Sequence, residues 1–254
     1  MLSPDSVELA DVAAGWRSAY VHLPFCRRRC PYCDFAVVAP GDAVATDPEE
    51  LTSEYLSALH GELDMEAEWG PLDAVNFGGG TPTAVGAAEI GRLINHLDRR
   101  FAIESGAEIS VEANPEDITD ELIDGLLAAG VNRLTLGIQS LDDGVLAFLG
   151  RTHDAATAHS TLAACLPHFS VGVDLIFGSP GETLDSWKRT VDLTLEQFPH
   201  HLSAYSLTVE TGTTLWKEVR AGAAAPDPDD QADKYEYMQE AADTANLVQY
   251  EVSN

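Results

Sequence analysis

The residues best equipped for chemistry are Cys26, Cys30 and Cys33, in the stretch His22-Leu-Pro-Phe-Cys26-Arg-Arg-Arg-Cys30-Pro-Tyr32-Cys33-Asp-Phe35. Three thiolates on one loop can hold three irons of a four-iron cluster. With no fourth cysteine nearby, the last iron would be left open for a small molecule. The competing reading is a zinc site that adds His22 to the three cysteines, but His22 lies in a predicted strand rather than in the loop. Arg27, Arg28 and Arg29 bring positive charge, which is expected to lower the thiol pKa values and to suit an anionic cluster; a solvated loop would carry them equally well. The fourth cysteine, Cys165, stands apart in a helical pattern and reads as a small buried apolar residue.

Something must position that loop. Short β-branched, apolar runs at 19–23, 74–77, 108–113, 133–138, 172–177 and 202–208 read as strands. Between them, 49–69, 87–101, 119–129, 155–166 and 184–198 have helical periodicity, with starts marked by Thr119 and Thr183. Strands alternating with helices predict an α/β fold with a parallel sheet and right-handed crossovers. Six such units are too few for a closed eight-stranded barrel and predict an open three-quarter (β/α)6 barrel. The stretch 221–230, rich in Ala, Pro and Asp, reads as a loop before one more helix over 231–245.

In this architecture the chemistry belongs at the carboxyl ends of the strands. The cysteine loop follows the first strand, and Gly78, Gly79, Gly80 and Thr81 follow the second. Glu112 and Asn114 close the third and Gln139 closes the fourth. The glycines allow close backbone approach to a ligand; a phosphate loop is the rival, but no Lys-Ser/Thr pair follows them. Glu112 could accept hydrogen bonds from a ribose, or be a solvated surface carboxylate. Asp174 interrupts an otherwise apolar run, where an unpaired carboxylate costs several kcal/mol.

Composition bounds the partners. The chain has 254 residues, 45% of them hydrophobic, enough for a substantial core. Acidic residues outnumber basic ones 42 to 14, for a formal charge of −28. That surface repels phosphate backbones, so no nucleic acid is expected as a partner. The first residues show no basic and apolar signal pattern, and no apolar run reaches the ~18 residues of a membrane span. A cytoplasmic location, with no membrane span, is the expectation, and three clustered cysteines in a reducing compartment favour metal over disulfides.

Cys-x3-Cys-x2-Cys with Tyr32 before the third cysteine resembles the cluster motif of the radical S-adenosylmethionine superfamily. The resemblance implies a radical SAM barrel and a [4Fe-4S] cluster on Cys26, Cys30 and Cys33. It further implies that S-adenosylmethionine binds the open iron through its amino and carboxylate groups, where one electron cleaves it to methionine and a 5′-deoxyadenosyl radical. Within the superfamily the chain is similar to the coproporphyrinogen dehydrogenase group. The similarity is carried by Tyr20-Val-His-Leu-Pro-Phe-Cys26, Phe77-Gly-Gly-Gly-Thr81-Pro-Thr83, Val111-Glu-Ala-Asn-Pro115, Gly137-Ile-Gln-Ser140, Leu149-Gly-Arg151-Thr-His153, Asp174-Leu-Ile-Phe-Gly-Ser-Pro180 and Tyr250-Glu-Val-Ser-Asn254. It implies that Tyr20, Gly79, Gly80, Thr81, Glu112, Gln139, Arg151 and Asp174 line the cofactor pocket, with the glycine loop serving the methionine amino group. Without it, Arg151 would read equally well as a helix-end surface charge and Tyr20 as core packing.

The dehydrogenases resemble Cys-x3-Cys-x2-Cys-x-Cys, whereas Phe35 stands in place of the last cysteine. The leader expected over residues 1–18 is also shorter than their N-terminal arm. Both features resemble the HemW branch of heme chaperones, which implies heme as cargo and a heme-accepting respiratory protein as partner. In that branch a His-Asn-x-x-Tyr-Trp-like stretch linked to heme binding, and a small C-terminal domain, would follow the segment that matches Tyr250-Glu-Val-Ser-Asn254. The expected division is therefore a leader over 1–18, a partial barrel over 19–220, and a linker, helix and start of a C-terminal region over 221–254. His153, His159, His168, His200 and His201 have the chemistry of heme ligands but stand singly near predicted helix ends, where solvent exposure is expected, and none is assigned. An oxygen-independent coproporphyrinogen III oxidase remains as an alternative, and a zinc-stabilised binding module as a second. Whether the chain acts as an enzyme by cleaving S-adenosylmethionine stays open.

Overall fold

The structure, a computed structural model, describes residues 17–42, 47–66 and 70–252. The leader expected over 1–18 thus falls outside the described residues as far as residue 16, as do Trp69 at the end of the first expected helix and the final Ser253 and Asn254.

Six strands form one sheet in chain order: β1 (Ser18–Leu23), β2 (Leu72–Gly79), β3 (Ile103–Ala113), β4 (Arg133–Gln139), β5 (Ser170–Phe177) and β6 (His201–Ser206). Every neighbouring pair is parallel. The described residues give no pairing between β1 and β6, so the barrel is open, as the count of βα units predicts. The crossovers are α1 (Pro48–Met65), α2 (Ala87–Phe101), α3 (Asp120–Ala128), α5 (Ala155–Cys165) and α6 (Leu184–Leu195), with α8 (Pro228–Thr244) packed beside α6.

Strand alternation explains both the core and the cavity. Val21 and Leu23, Val75 and Phe77, Ile109 and Val111, Leu134 and Leu136, and Val171, Val173 and Leu175 recur at every second position, and all lie in one buried apolar cluster beneath the helices. The residues between them, among them Tyr20, Asn76, Glu112, Thr135, Asp174 and Ser203, are polar and face the other way, as the period of two requires. This is why Asp174 interrupts the apolar run of β5. It belongs to the interior face, where it pairs in register with Gly137 on one side and Ser203 on the other.

Local signals set the helix starts. Thr119 accepts from Leu122 N at 3.2 Å and Thr183 from Ser186 N at 3.1 Å, as their spacing predicts. Asp142, Asp154, Thr213 and Asp227 cap other helices the same way. The last helix begins at Pro228, inside the stretch expected to be loop, because Asp227 caps it and proline is tolerated in the first turn. Two short helices, α4 (Asp143–Phe148) and α7 (Thr214–Arg220), have no counterpart in the sequence pattern; neither completes two turns, so neither shows a period. β3 starts earlier than expected: its register against β2 slips between Leu72 and Ala74, and the bulged segment contains Gly106 with φ of 91°.

Candidate functional site

The cysteine loop leaves β1 and is stitched to its surroundings by backbone bonds. Cys26 N donates to Val38 O at 2.9 Å, Val38 N to Pro24 O at 2.8 Å, and Leu215 N of α7 to Pro31 O at 2.8 Å. From β2, Gly80 N donates to Leu23 O at 2.9 Å and Thr81 N to Phe25 O at 2.8 Å. The loop therefore lies directly on the glycine turn. Two of these glycines are required there. Gly79 has φ of 115°, and a Cβ on it would stand 2.7 Å from the His22 ring. A Cβ on Gly80 would meet the Pro24 and Phe25 backbone at 2.7 Å. No side chain of any size fits at either position.

One cavity gathers the expected residues. Cys26, Cys30 and Cys33 line it together with Gly79, Gly80, Thr81, Glu112, Gln139, Arg151 and Asp174, and Phe35 stands exposed at its mouth. Tyr20 is the exception among the expected lining residues. It is largely exposed at the rim, its hydroxyl 3.1 Å from His22 Nδ1, and it neither lines the cavity nor packs in the core.

The polar groups are held from several strand ends. Thr81 Oγ1 donates toward Cys26 Sγ at 3.8 Å, and Arg151 Nη1 toward Cys30 Sγ at 3.7 Å. Arg151 also donates to Gly137 O at 2.9 Å and to Asn114 Oδ1. Gln139 sits in the left-handed region with φ of 68°, where β4 slips register against β5, and its buried Oε1 has no partner. A non-glycine residue held there, with an orphaned buried acceptor, carries a local cost that the fold itself does not offset. The buried Nε of Arg151 is likewise without a partner.

Two carboxylates face this cavity with shifted titrations. Burial, then the charge of Asp174, pushes Glu112 up despite hydrogen bonds from Gly79 N and Asn76. Glu112 is therefore a half-buried cavity residue and not a solvated surface charge. Burial pushes Asp174 up to about 6 against the opposing help of Ser203 and Arg133. Its folded pKa lies above the ordinary value, so folding disfavours the ionised form. The cost is absent below about pH 4, grows as pH rises, and is complete above about 6. Asp174→Asn is therefore expected to raise stability at pH 8 by up to about 3 kcal/mol and to change it little near pH 4, as denaturant melts at the two pH values would read.

The arginines beside the cysteines do not act as expected. Burial wins, and the thiols of Cys26 and Cys33 are pushed up, with Arg29 only partly offsetting it. The side chains turn to other partners: Arg27 Nε lies 2.6 Å from Asp117 Oδ1, and Arg29 pairs with Asp42 at 2.9 Å and with Val37 O. The zinc reading also loses its fourth donor. Both ring nitrogens of His22 are engaged, Nε2 donating to Ala36 O at 3.0 Å and Nδ1 facing Tyr20. Among the described residues no three His, Cys, Asp or Glu side chains converge on a single-ion site. Three separated thiols around a cavity fit a polynuclear cluster, whose irons are each met by a different sulfur.

His153 departs from the solvent-exposed role expected of it. It is buried, with Nδ1 2.9 Å from Glu116 Oε2 and Nε2 3.0 Å from Ile138 O. Burial raises the Glu116 pKa, but hydrogen bonds from His153 and Thr152 outweigh it and hold the carboxyl down at about 2. The pair braces the Leu149–His153 turn that delivers Arg151. His159, His168 and His200 are exposed. Cys165 is buried in the core as expected, its thiol pushed up to about 12 by burial.

An open parallel barrel with three loop cysteines over a glycine-floored, carboxylate-bearing cavity defines a class of metal-cluster protein. The chain belongs to the radical SAM superfamily, whose family model matches residues 20–194. It is 40% identical over 245 residues to the heme chaperone HemW of Mycobacterium tuberculosis, covering 92% of this chain and 61% of that protein. It is 36% identical over 255 residues to the mouse mitochondrial radical S-adenosyl methionine domain-containing protein 1, covering 99% of this chain and 56% of that one. Among solved structures it is similar to the coproporphyrinogen III oxidase HemN of Escherichia coli, with a TM-score of 0.79 and 28% identity over 91% of this chain and 53% of the other. The chain thus spans about three-fifths of the length of the curated relatives it matches. No helix among the described residues is long and apolar enough to cross a membrane.

Proposed function

We propose that Cys26, Cys30 and Cys33 hold a [4Fe-4S] cluster, that S-adenosylmethionine lies in the adjoining cavity, and that the chain is part of a cytoplasmic HemW-type heme chaperone. The observation that carries the reading is the convergence of three thiols and the unpartnered Gln139 Oε1 on one cavity whose floor admits only glycine. When bound, the cluster would supply the electron that cleaves S-adenosylmethionine.

The chain's own residues do the positioning. The backbone at Gly79 and Gly80 lies open to the methionine amino group, and Thr81 bounds the same end. The free Nε of Arg151 and the orphaned Oε1 of Gln139 offer one donor and one acceptor to the same molecule. Glu112 and Asp174 face it from β3 and β5, where a ribose hydroxyl could donate to either. Glu112→Gln keeps the shape and removes the charge. It is expected to leave iron content unchanged while weakening S-adenosylmethionine about tenfold in equilibrium dialysis, the worth of roughly one charged hydrogen bond. Unchanged affinity would return Glu112 to a structural role.

Heme as cargo and a respiratory protein as its acceptor follow from the likeness to the HemW chaperones. The second reading, an oxygen-independent coproporphyrinogen III oxidase, is favoured by the likeness to HemN. Phe35 favours the chaperone reading, because it stands, exposed at the edge of the cavity, where the dehydrogenases carry a further cysteine. Oxidation must hold a substrate carbon within about 3–3.5 Å of its attacker, the demand most easily lost when a cavity wall changes. The reconstituted protein, given excess S-adenosylmethionine and reductant, is expected to convert no coproporphyrinogen III to protoporphyrinogen IX. Multiple turnovers in that assay would promote the oxidase reading.

A further inference from the structure

Asn114 directly follows the end of β3 and precedes Pro115, and its amide lies between two groups that donate toward the sulfurs of Cys26 and Cys30. Nδ2 donates to Thr81 Oγ1 at 2.9 Å, and Oδ1 accepts from Arg151 Nη2. The orientation of the amide is fixed by chemistry, since a guanidinium only donates and so must face the oxygen. With the Thr81 oxygen accepting from Asn114, its own hydrogen is released to point at Cys26 Sγ, 3.8 Å away. On the other side Arg151, held by Asn114 and by Gly137 O, directs Nη1 at Cys30 Sγ, 3.7 Å away. The result is one unbroken chain, Cys26–Thr81–Asn114–Arg151–Cys30, made of residues from four different segments. A Cβ on Gly137 would come within 3.1 Å of Asn114 Oδ1, so β4 is shaped to leave this amide its place.

We propose that Asn114 is a positioning residue that sets the reduction potential of the cluster by aiming the Thr81 hydroxyl and the Arg151 guanidinium at the sulfurs of Cys26 and Cys30. The inference rests on the cluster assignment above and goes beyond it, since Asn114 itself touches no cysteine. Hydrogen bonds to cluster sulfurs stabilise added negative charge, and the reduced cluster carries one more electron than the oxidised one. Removing the donors must therefore lower the potential.

The test is a spectroscopic redox titration of the anaerobically reconstituted protein, with iron measured in each sample. Asn114→Leu loosens both donors and is expected to lower the reduced-to-oxidised ratio at fixed potential about tenfold, a shift of about 59 mV for one electron. Thr81→Val, close in shape, removes one donor and is expected to shift the potential in the same direction by less. The double variant is expected to lie no lower than Asn114→Leu alone, because the hydroxyl loses its aim once the amide is gone. Additive shifts would overturn the proposal by making the two residues independent. So would an unmoved potential in Asn114→Leu at full iron content. Should Asn114→Leu fail to take up iron, Thr81→Val still decides, since an unmoved potential there removes the first link of the chain. A wild-type protein that binds no cluster at all would instead sink the assignment on which the inference stands.

Discussion

Cys30→Ala is expected to lose most of its iron on anaerobic reconstitution, while Cys165→Ala keeps the wild-type complement. Both variants remove one of four sulfhydryl groups, yet their surroundings differ in kind. Cys30 lines the cavity with Cys26 and Cys33 and takes a donor from Arg151. Cys165 is fully buried in the apolar core, with a thiol pushed to about 12 and no polar neighbour that would help it ionise. A cluster held by three sulfurs has no spare ligand, so loss of one leaves two irons of the cube without protein support. Brown colour and about four irons per chain in the wild type, near-colourless Cys30→Ala and unchanged Cys165→Ala are the expected set. A full cluster in Cys30→Ala would end the ligand assignment, and zinc in place of iron in the wild type would revive the zinc-stabilised module.

What is legible in the sequence follows a physical division. The strands can be read because their helix-facing positions repeat every second residue without a break, from Val21 and Leu23 to Leu175 and Phe177. The same alternation makes Asp174 conspicuous, since a carboxylate in an apolar run must face something other than the core. The cysteine spacing can be read because cluster ligation is local in sequence. The arginine electrostatics cannot, because the sequence shows the charges of Arg27 and Arg29 but not their partners Asp117 and Asp42, nor the burial that raises the thiols. His153 misleads for the same reason: only the fold brings Glu116 and the Ile138 carbonyl to its two nitrogens. Asn114 can be placed at a strand end from sequence, yet its job depends on Thr81 and Arg151, which reach it through separate crossovers.

Lys234 is the plainest case of a residue whose role the sequence hides, and its removal carries the largest expected effect on stability. Its spacing from Asp230, one turn earlier in α8, is that of a common helical ion pair and carries no sign of burial. In the structure it is fully buried, with Nζ 2.6 Å from Asp230 Oδ2, 2.8 Å from Glu182 O and 3.1 Å from Glu182 Oε2. The Lys234 carbonyl accepts from Trp187 Nε1 of α6 at 2.8 Å, and Glu182 Oε2 accepts from Gly178 N at 2.8 Å. The ammonium thus clamps α8 to the turn that follows the carboxyl end of β5. Burial is the main influence on Glu182 and pushes its pKa up, with Lys234 opposing it. Lys234→Met would leave that carboxylate buried without its counter-charge, a change of the kind that costs about 3–5 kcal/mol. For a chain of this size a loss of that order lowers the melting temperature by roughly 6–20 °C. Adding Glu182→Gln to Lys234→Met removes the orphaned charge while keeping an acceptor for Gly178 N, and is expected to restore more than half of the loss in thermal melts. A single variant that melts with the wild type would show the clamp to be idle. A double variant no better than the single one would assign the loss to packing around the lysine stem rather than to the uncompensated charge.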